Sequence, residues 1–234
     1  MINNLSKKDE YNLFNKLADD WWNEDGKFKI LHQIRPLRIS YILDQLKRKN
    51  LNGLKILDVG SGGGLVTESL CRLGANVTGI DFVHSNIQIA KKHAKLNKLK
   101  INYICADIET ININNKYDVI IMFEVLEHID DWKKFLNKIK INLKKNGIII
   151  LSTINRNLLS KISAIIIAEN ILKWIPEGTH TYEKLIKPEE IKLELNKNGF
   201  DTTSFKGIYY NPIINKWNFT NNTSVNYFCT ASKN

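Results

Sequence analysis

Two stretches of this 234-residue sequence carry side chains in spacings that chemistry can use. The first is Lys55-Ile56-Leu57-Asp58-Val59-Gly60-Ser61-Gly62-Gly63-Gly64, an apolar run that stops in a carboxylate and breaks into glycines. Gly60, Gly62 and Gly64 allow a tight turn whose backbone can touch a ligand without a side chain intervening. The helix opening at Leu65 aims its free N–H groups into that turn. A dinucleotide site wants G-x-G-x-x-G with a pyrophosphate on the helix N-terminus. Here the third glycine comes one residue early, and Asp58 would repel a pyrophosphate while suiting a ligand with an amino group and a cation. S-Adenosylmethionine has both. Asp81 ends the next strand, where a carboxylate can accept from both ribose hydroxyls. Asp107 after the third strand can meet the adenine amino group, with Ile108 packed on the ring. Taken singly, Asp58 also reads as a solvated strand-end residue and Asp81 as a helix cap.

The second stretch is Glu124-Val125-Leu126-Glu127-His128. If it forms a helical turn, Glu124, Glu127 and His128 lie at i, i+3 and i+4 on one face. Such a face can hold a hard divalent cation, or His128 oriented by a carboxylate can act as general base. Methyl transfer to a phenol needs one or the other, since a hydroxyl of pKa about 10 is a poor nucleophile at neutral pH. A helix cap with a structural histidine is the alternative without chemistry.

The elements that must position these residues follow from the apolar pattern. Strands at 55–60, 76–81, 101–105, 117–123 and 147–153 alternate with helices at 64–73, 84–97 and 131–144. That alternation predicts an α/β fold with a doubly wound, mostly parallel sheet and the cofactor along the carboxyl edge of its strands. Leu13, Phe14, Leu17, Ala18, Trp21 and Trp22 predict an amphipathic helix over 9–22, and Pro36 is placed to start the next one. Residues 1–50 then form a helical cap over the site, 51–153 the cofactor-binding core, 154–187 an inserted segment, and 188–234 a helix with a closing antiparallel hairpin of strands at 203–210 and 224–231. Arg38 and His32 are the cap's polar residues best able to face a ligand, and an arginine can grip the cofactor carboxylate with two hydrogen bonds. In the inserted segment, Leu158 to Ile175 is apolar with Lys161, Glu169, Asn170 and Lys173 breaking the run. It is too polar to span a bilayer, and it suits an anionic membrane interface, the wall of an apolar pocket, or a plain core helix.

The chain is long enough for one large domain. Thirty-four Lys+Arg against 24 Asp+Glu give a net charge of +10, which fits nucleic acid, an anionic membrane, or a compositional bias toward Lys, Ile and Asn. An RNA methyltransferase would want basic residues and exposed aromatics around the pocket. The apolar 158–175 stretch argues instead for no nucleic-acid partner. Cys71, Cys105 and Cys229 show no metal spacing and read as reduced thiols. Lys7, Lys8, Asp9 and Glu10 precede any apolar run, so neither a secretory signal nor a transit peptide is expected.

At this point a resemblance enters, carried by Asp20-Trp21-Trp22, Gly26-Lys27-Phe28-Lys29, Leu31-His32, Arg35-Pro36-Leu37-Arg38, the Leu57–Gly64 loop, Glu124–His128, Ser152–Asn157, Pro176–His180 and Tyr210-Asn211-Pro212-Ile213. Over nearly its full length the chain resembles the bacterial ubiquinone-biosynthesis O-methyltransferases. The resemblance implies a class I S-adenosylmethionine-dependent methyltransferase (Rossmann-like) fold and methylation of ring hydroxyls on 2-polyprenyl-6-hydroxyphenol and 3-demethylubiquinol. It also implies cofactor contacts from Arg38, Gly60, Asp81 and the backbone around Phe123, where the family usually has Met; Ser61 stands where it has Cys. In mitochondrial relatives the positions of Glu124, Glu127 and His128 match magnesium ligands. The inserted helix, about 157–187, is implied to lie against membrane lipid, giving a cytoplasmic protein peripheral on the inner membrane beside other enzymes of ubiquinone synthesis.

Overall fold

The computed structural model describes residues 6–157 and 182–233. Its framework is an eight-stranded sheet in the order β3-β2-β1-β4-β5-β8-β6-β7, in which β6 is Phe200–Asn211, β7 Lys216–Thr220 and β8 Asn226–Lys233. The first five strands, β1 (Lys55–Val59), β2 (Asn76–Asp81), β3 (Asn102–Cys105), β4 (Tyr117–Phe123) and β5 (Leu143–Ile154), pair in parallel. Ile56, Val119, Ile121 and Ile150 face one apolar layer, while Leu57, Val59, Ile120, Met122, Ile149 and Leu151 face the other. Both sides of these strands are thus covered, the physical reason their sequences run apolar without alternation. The helices between them are α3 (Leu65–Arg72), α4 (His84–Leu96) and α5 (Trp132–Ile139). Strand order reverses at β1, with β2 on one side and β4 on the other, and ligands bind at such a switch point.

Two N-terminal helices precede the sheet, α1 (Lys7–Leu17) and α2 (Lys29–Gln45). Ser6 and Asp9 close a reciprocal capping box at the start of α1. The expected start of α2 at Pro36 is corrected: Pro36 lies inside the helix, and residues 29–35, read from the sequence as irregular, are helical. A proline there removes one backbone bond, but His32, Ile34, Arg38, Tyr41 and Ile42 are buried along the helix, and that packing outweighs the loss. The first helix also stops earlier than expected, turning into a short 3-10 segment at Ala18–Asp20.

The C-terminal part holds α6 (Pro188–Lys197), β6 (Phe200–Asn211), β7 (Lys216–Thr220) and β8 (Asn226–Lys233). The expected antiparallel pair is present, with β8 between β5 and β6. Their connection, read as a loop through Trp217, itself contains β7, which pairs with β6 from Gly207↔Thr220 to Asn211↔Lys216. Its short Lys-Trp-Asn-Phe-Thr run does alternate, since Trp217 and Phe219 share a face.

Candidate active site

The carboxyl ends of β1, β2 and β4 converge at the glycine turn. Gly60, Gly62 and Gly64 have φ of +71°, +53° and +90°, a region closed to most side chains. At Gly62 a methyl group would also strike the Trp21 ring at 2.4 Å. Most of the turn's N–H groups are spent within the fold: Gly60 and Ser61 donate to the Ile80 carbonyl at 2.8 and 3.0 Å, Gly62 to Asp81 Oδ2 at 2.9 Å, and Gly64 to the Ser61 carbonyl at 2.9 Å. A pyrophosphate would need those donors. The turn is instead knitted to its own walls.

Those walls are acidic. Asp58 is buried at the end of β1 and accepts from the Thr67 hydroxyl at 2.5 Å. Burial drives its carboxyl up to about 7, against the pull of Thr67 and Arg38. Asp81 is buried as well, and burial raises it despite three hydrogen bonds, from Gly62, from Val83 N at 2.9 Å and from Asn86 Nδ2 at 3.3 Å. The bond from Val83 N is a local turn contact just before α4, whose N-cap, Val83, has no side-chain cap bond. Asp81 Oδ2 accepts one bond and keeps a lone pair for a ligand hydroxyl.

Four comparisons bear on this arrangement. A model of the methyltransferase domain matches residues 30–204. The ubiquinone biosynthesis O-methyltransferase of Pelagibacter ubique is 44% identical, with 100% of each chain covered, and that of Rickettsia canadensis is 43% identical over 100% of this chain and 99% of its own. The chain belongs to the ubiquinone biosynthesis O-methyltransferase family. Among solved structures, magnesium protoporphyrin IX methyltransferase from Synechocystis PCC 6803, crystallised with bound S-adenosylhomocysteine, superposes with a TM-score of 0.70 at 20% identity, covering 98% of this chain and 100% of that one. That likeness fixes the fold, the class I methyltransferase fold.

In this family member the N-terminal helices lie directly on the glycine turn. Trp21 stacks on Phe28 with ring centroids 3.9 Å apart, and Trp22 Nε1 donates to the Gly63 carbonyl at 3.0 Å. Trp22 also stacks on His93, whose ring meets the buried Glu68 at 2.8 Å. His32 is buried against the Trp21 carbonyl at 2.9 Å, so it holds the helices together and does not face the turn. Arg38 is buried under β4: its guanidinium lies 5.0 Å from the centre of the Phe123 ring and pairs with Glu124. Burial brings Arg38 down to about 10, so it stays charged at neutral pH.

The acidic stretch after β4 departs from its expected shape. Glu124 has φ +52°, a left-handed residue at the strand end, and the 3-10 turn begins only at Leu126. Its carboxylate accepts from the Ser152 hydroxyl at 2.6 Å as well as from Arg38. Glu127 is buried and accepts from the Thr153 hydroxyl at 3.0 Å through Oε2, while Oε1 has no partner. Burial raises its pKa, an effect opposed first by the charge of His128. Among the described residues no group of three or more His, Cys, Asp and Glu is placed to hold a metal ion, so nothing in this arrangement favours the cation over the general base for Glu124, Glu127 and His128. The helical turn that would have aligned them is broken at Glu124.

Asp107, expected at the adenine, is tied to Lys7 Nζ at 2.6 Å and to Glu109 N at 3.0 Å, and these partners lower its pKa against a partial burial that would raise it. Ile108 is half-buried against the main core. The inserted stretch 158–175 and the Pro176–His180 loop lie outside the described residues. Trp21, Asn86, Ser152 and Thr153 escaped the sequence reading as site residues. All but Asn86 stand in motifs that carried the family resemblance.

Proposed function

We propose that this chain is an S-adenosylmethionine-dependent O-methyltransferase that methylates ring hydroxyls of polyprenylated phenols and quinols, the reaction its relatives' name implies. The observation that carries the reading is the pair of buried carboxylates, Asp58 and Asp81, beside a glycine turn in which the N–H groups of Gly60, Ser61, Gly62 and Gly64 are already satisfied. Such a site favours a cationic, hydroxyl-bearing ligand over a pyrophosphate. S-Adenosylmethionine supplies an electrophilic methyl group on a sulfonium.

Each role then falls to a side chain with spare capacity. Asp81 offers its remaining lone pair to the ribose hydroxyls. Arg38, whose Nε has no partner, turns from Glu124 to the cofactor carboxylate, and Asp58 faces its cationic end. The backbone at Phe123, with Asp107 and Ile108, borders the adenine. His128, oriented by Glu127, takes the hydroxyl proton as the oxygen–methyl bond forms and the sulfur–methyl bond breaks, releasing S-adenosylhomocysteine with no covalent enzyme intermediate. A hydroxyl that loses its proton to a positioned base attacks without any cation to lower its pKa.

A substrate with an isoprenoid tail favours peripheral attachment of the enzyme to an anionic membrane face. No helix among the described residues is long and apolar enough to cross a membrane. The test is transfer of a labelled methyl group to a catechol bearing a short prenyl chain. Transfer to RNA alone would replace the acceptor. Binding of liposomes with no transfer to any acceptor would leave a lipid-binding protein on the same fold.

A further inference from the structure

The end of β6 and the start of β7 form a hairpin whose tip no part of the proposed chemistry uses. Its position is fixed by register. β6 runs antiparallel to β8, with Phe200 opposite Lys233 and Lys206 opposite Phe228, and β8 begins with Asn226 opposite Ile154 at the carboxyl end of β5. The chain at Asn211 therefore emerges at the carboxyl edge of the parallel strands, the edge that carries the glycine turn and Glu124.

The hairpin is anchored on its inner face. Ile208 and Phe219 pair across it and join the core under α2, and Trp217 Nε1 donates to Gln33 of α2 at 3.3 Å. Beyond that anchor the chain makes a built turn. Asn211 Oδ1 accepts from the N–H groups of Ile213 and Ile214 at 3.0 and 3.4 Å, and the Tyr210 hydroxyl donates to Asn215 Oδ1 at 2.5 Å. The turn holds Ile213 92% and Ile214 53% exposed, with Tyr209 and Tyr210 also open to solvent behind them. Single exposed apolar residues are ordinary. Two adjacent isoleucines held out by a hydrogen-bonded turn, with aromatic side chains one step back, have the layering of a membrane-interface anchor, apolar at the tip and amphipathic at the headgroup level.

Charge selects the kind of surface. From Thr202 to the last residue the sequence has no Asp or Glu, Lys216 stands opposite Asn211 at the base of the tip, and the chain as a whole carries +10. A stretch that carries lysine and no acid in its own sequence suits an anionic bilayer. We infer that the Ile213-Ile214 turn inserts into the headgroup region of an anionic membrane and seats the open edge of the sheet on the lipid from which the substrate comes. This inference rests on the membrane-facing reading above, but on residues separate from the inserted segment. The docked edge is the carboxyl edge of the parallel strands, where Glu124 and Glu127 follow β4.

The test uses the full chain and vesicles of phosphatidylglycerol in phosphatidylcholine. Ile213→Glu/Ile214→Glu should lower vesicle partitioning about tenfold or more, with melting temperature and turnover on a water-soluble catechol unchanged. Ile213→Leu/Ile214→Leu should bind as the natural chain does, and Lys216→Gln should weaken binding about fivefold at low salt. If the natural chain binds vesicles and the double Glu variant binds equally well, the hairpin is no anchor, though the membrane reading survives. If the natural chain binds no vesicles, that reading and the anchor fall together. Self-association in vesicle-free solution that the double Glu variant abolishes, with vesicle binding intact, would assign the tip to a second copy of the chain and overturn the lipid assignment.

Discussion

The indole N–H of Trp21 donates to Asn86 Oδ1 at 2.8 Å, and the other end of the same buried amide reaches Asp81 at 3.3 Å. An amide has one accepting and one donating end. By occupying the oxygen, Trp21 therefore fixes which end of Asn86 meets the carboxylate proposed to hold the ribose. The segment between the two N-terminal helices and Asp81 are joined by a two-bond chain.

Trp21→Phe keeps the ring against Gly62 and Phe28 but removes the N–H. The Michaelis constant for S-adenosylmethionine should rise several-fold with kcat nearly unchanged, since the chemistry lies elsewhere. Asn86→Asp, which sets a second carboxylate against Asp81, should weaken cofactor binding more, and Asn86→Ala should fall between. Equal affinity in all three variants, measured by calorimetry with S-adenosylhomocysteine, would cut the link.

Asp58 makes a prediction in pH. Its folded pKa of about 7 stands above the ordinary 3.8, so the fold favours the protonated form. Its contribution to stability is full below about pH 4 and is lost as the pH rises through about 7. Asp58→Asn removes that dependence. At pH 8 the variant should melt higher than the natural chain by on the order of 5 °C, with the difference shrinking toward pH 4, while binding cofactor more weakly. A melting difference that does not change with pH would contradict this.

Glu127 and His128 separate by their pH profiles. Because burial raises Glu127, turnover should climb with pH through a value above the usual carboxylate range as this carboxyl ionises. Glu127→Gln should lower kcat by roughly a hundredfold or more, abolish that limb, and leave the cofactor constant within about twofold. His128→Ala should likewise cut turnover more than binding. A Gln variant retaining the same acidic limb would assign it to another group.

Arg38→Lys keeps the charge and loses the fork that spans Phe123 and Glu124. Affinity for S-adenosylhomocysteine should drop about tenfold, whereas for adenosine, which lacks the carboxylate, it should change little. An equal loss for both ligands would make the arginine a packing residue.

Much of the fold was legible because buried parallel strands announce themselves: Ile56-Leu57 and Val119-Ile120-Ile121-Met122 have no polar alternation to confuse. The turn was legible from its glycines. What escaped was set by tertiary contact. Pro36 signals a helix start locally, and only the burial of His32 and Ile34 carries the helix through it. Glu124 to His128 looks like one helical face, and the left-handed Glu124, held by Arg38 and Ser152 from distant parts of the chain, breaks it. Trp21 reads as core by periodicity, although its N–H is spent on Asn86. β7 was hidden because five residues alternate too briefly to outweigh the turn signals beside them.

The most direct measurement mixes the full chain with methyl-labelled S-adenosylmethionine and a catechol carrying a short prenyl chain, and follows the label by mass spectrometry. The account predicts one methyl group on a ring oxygen for each S-adenosylhomocysteine formed. Binding of NAD with no affinity for S-adenosylhomocysteine, or methyl transfer to RNA with none to the catechol, would contradict it.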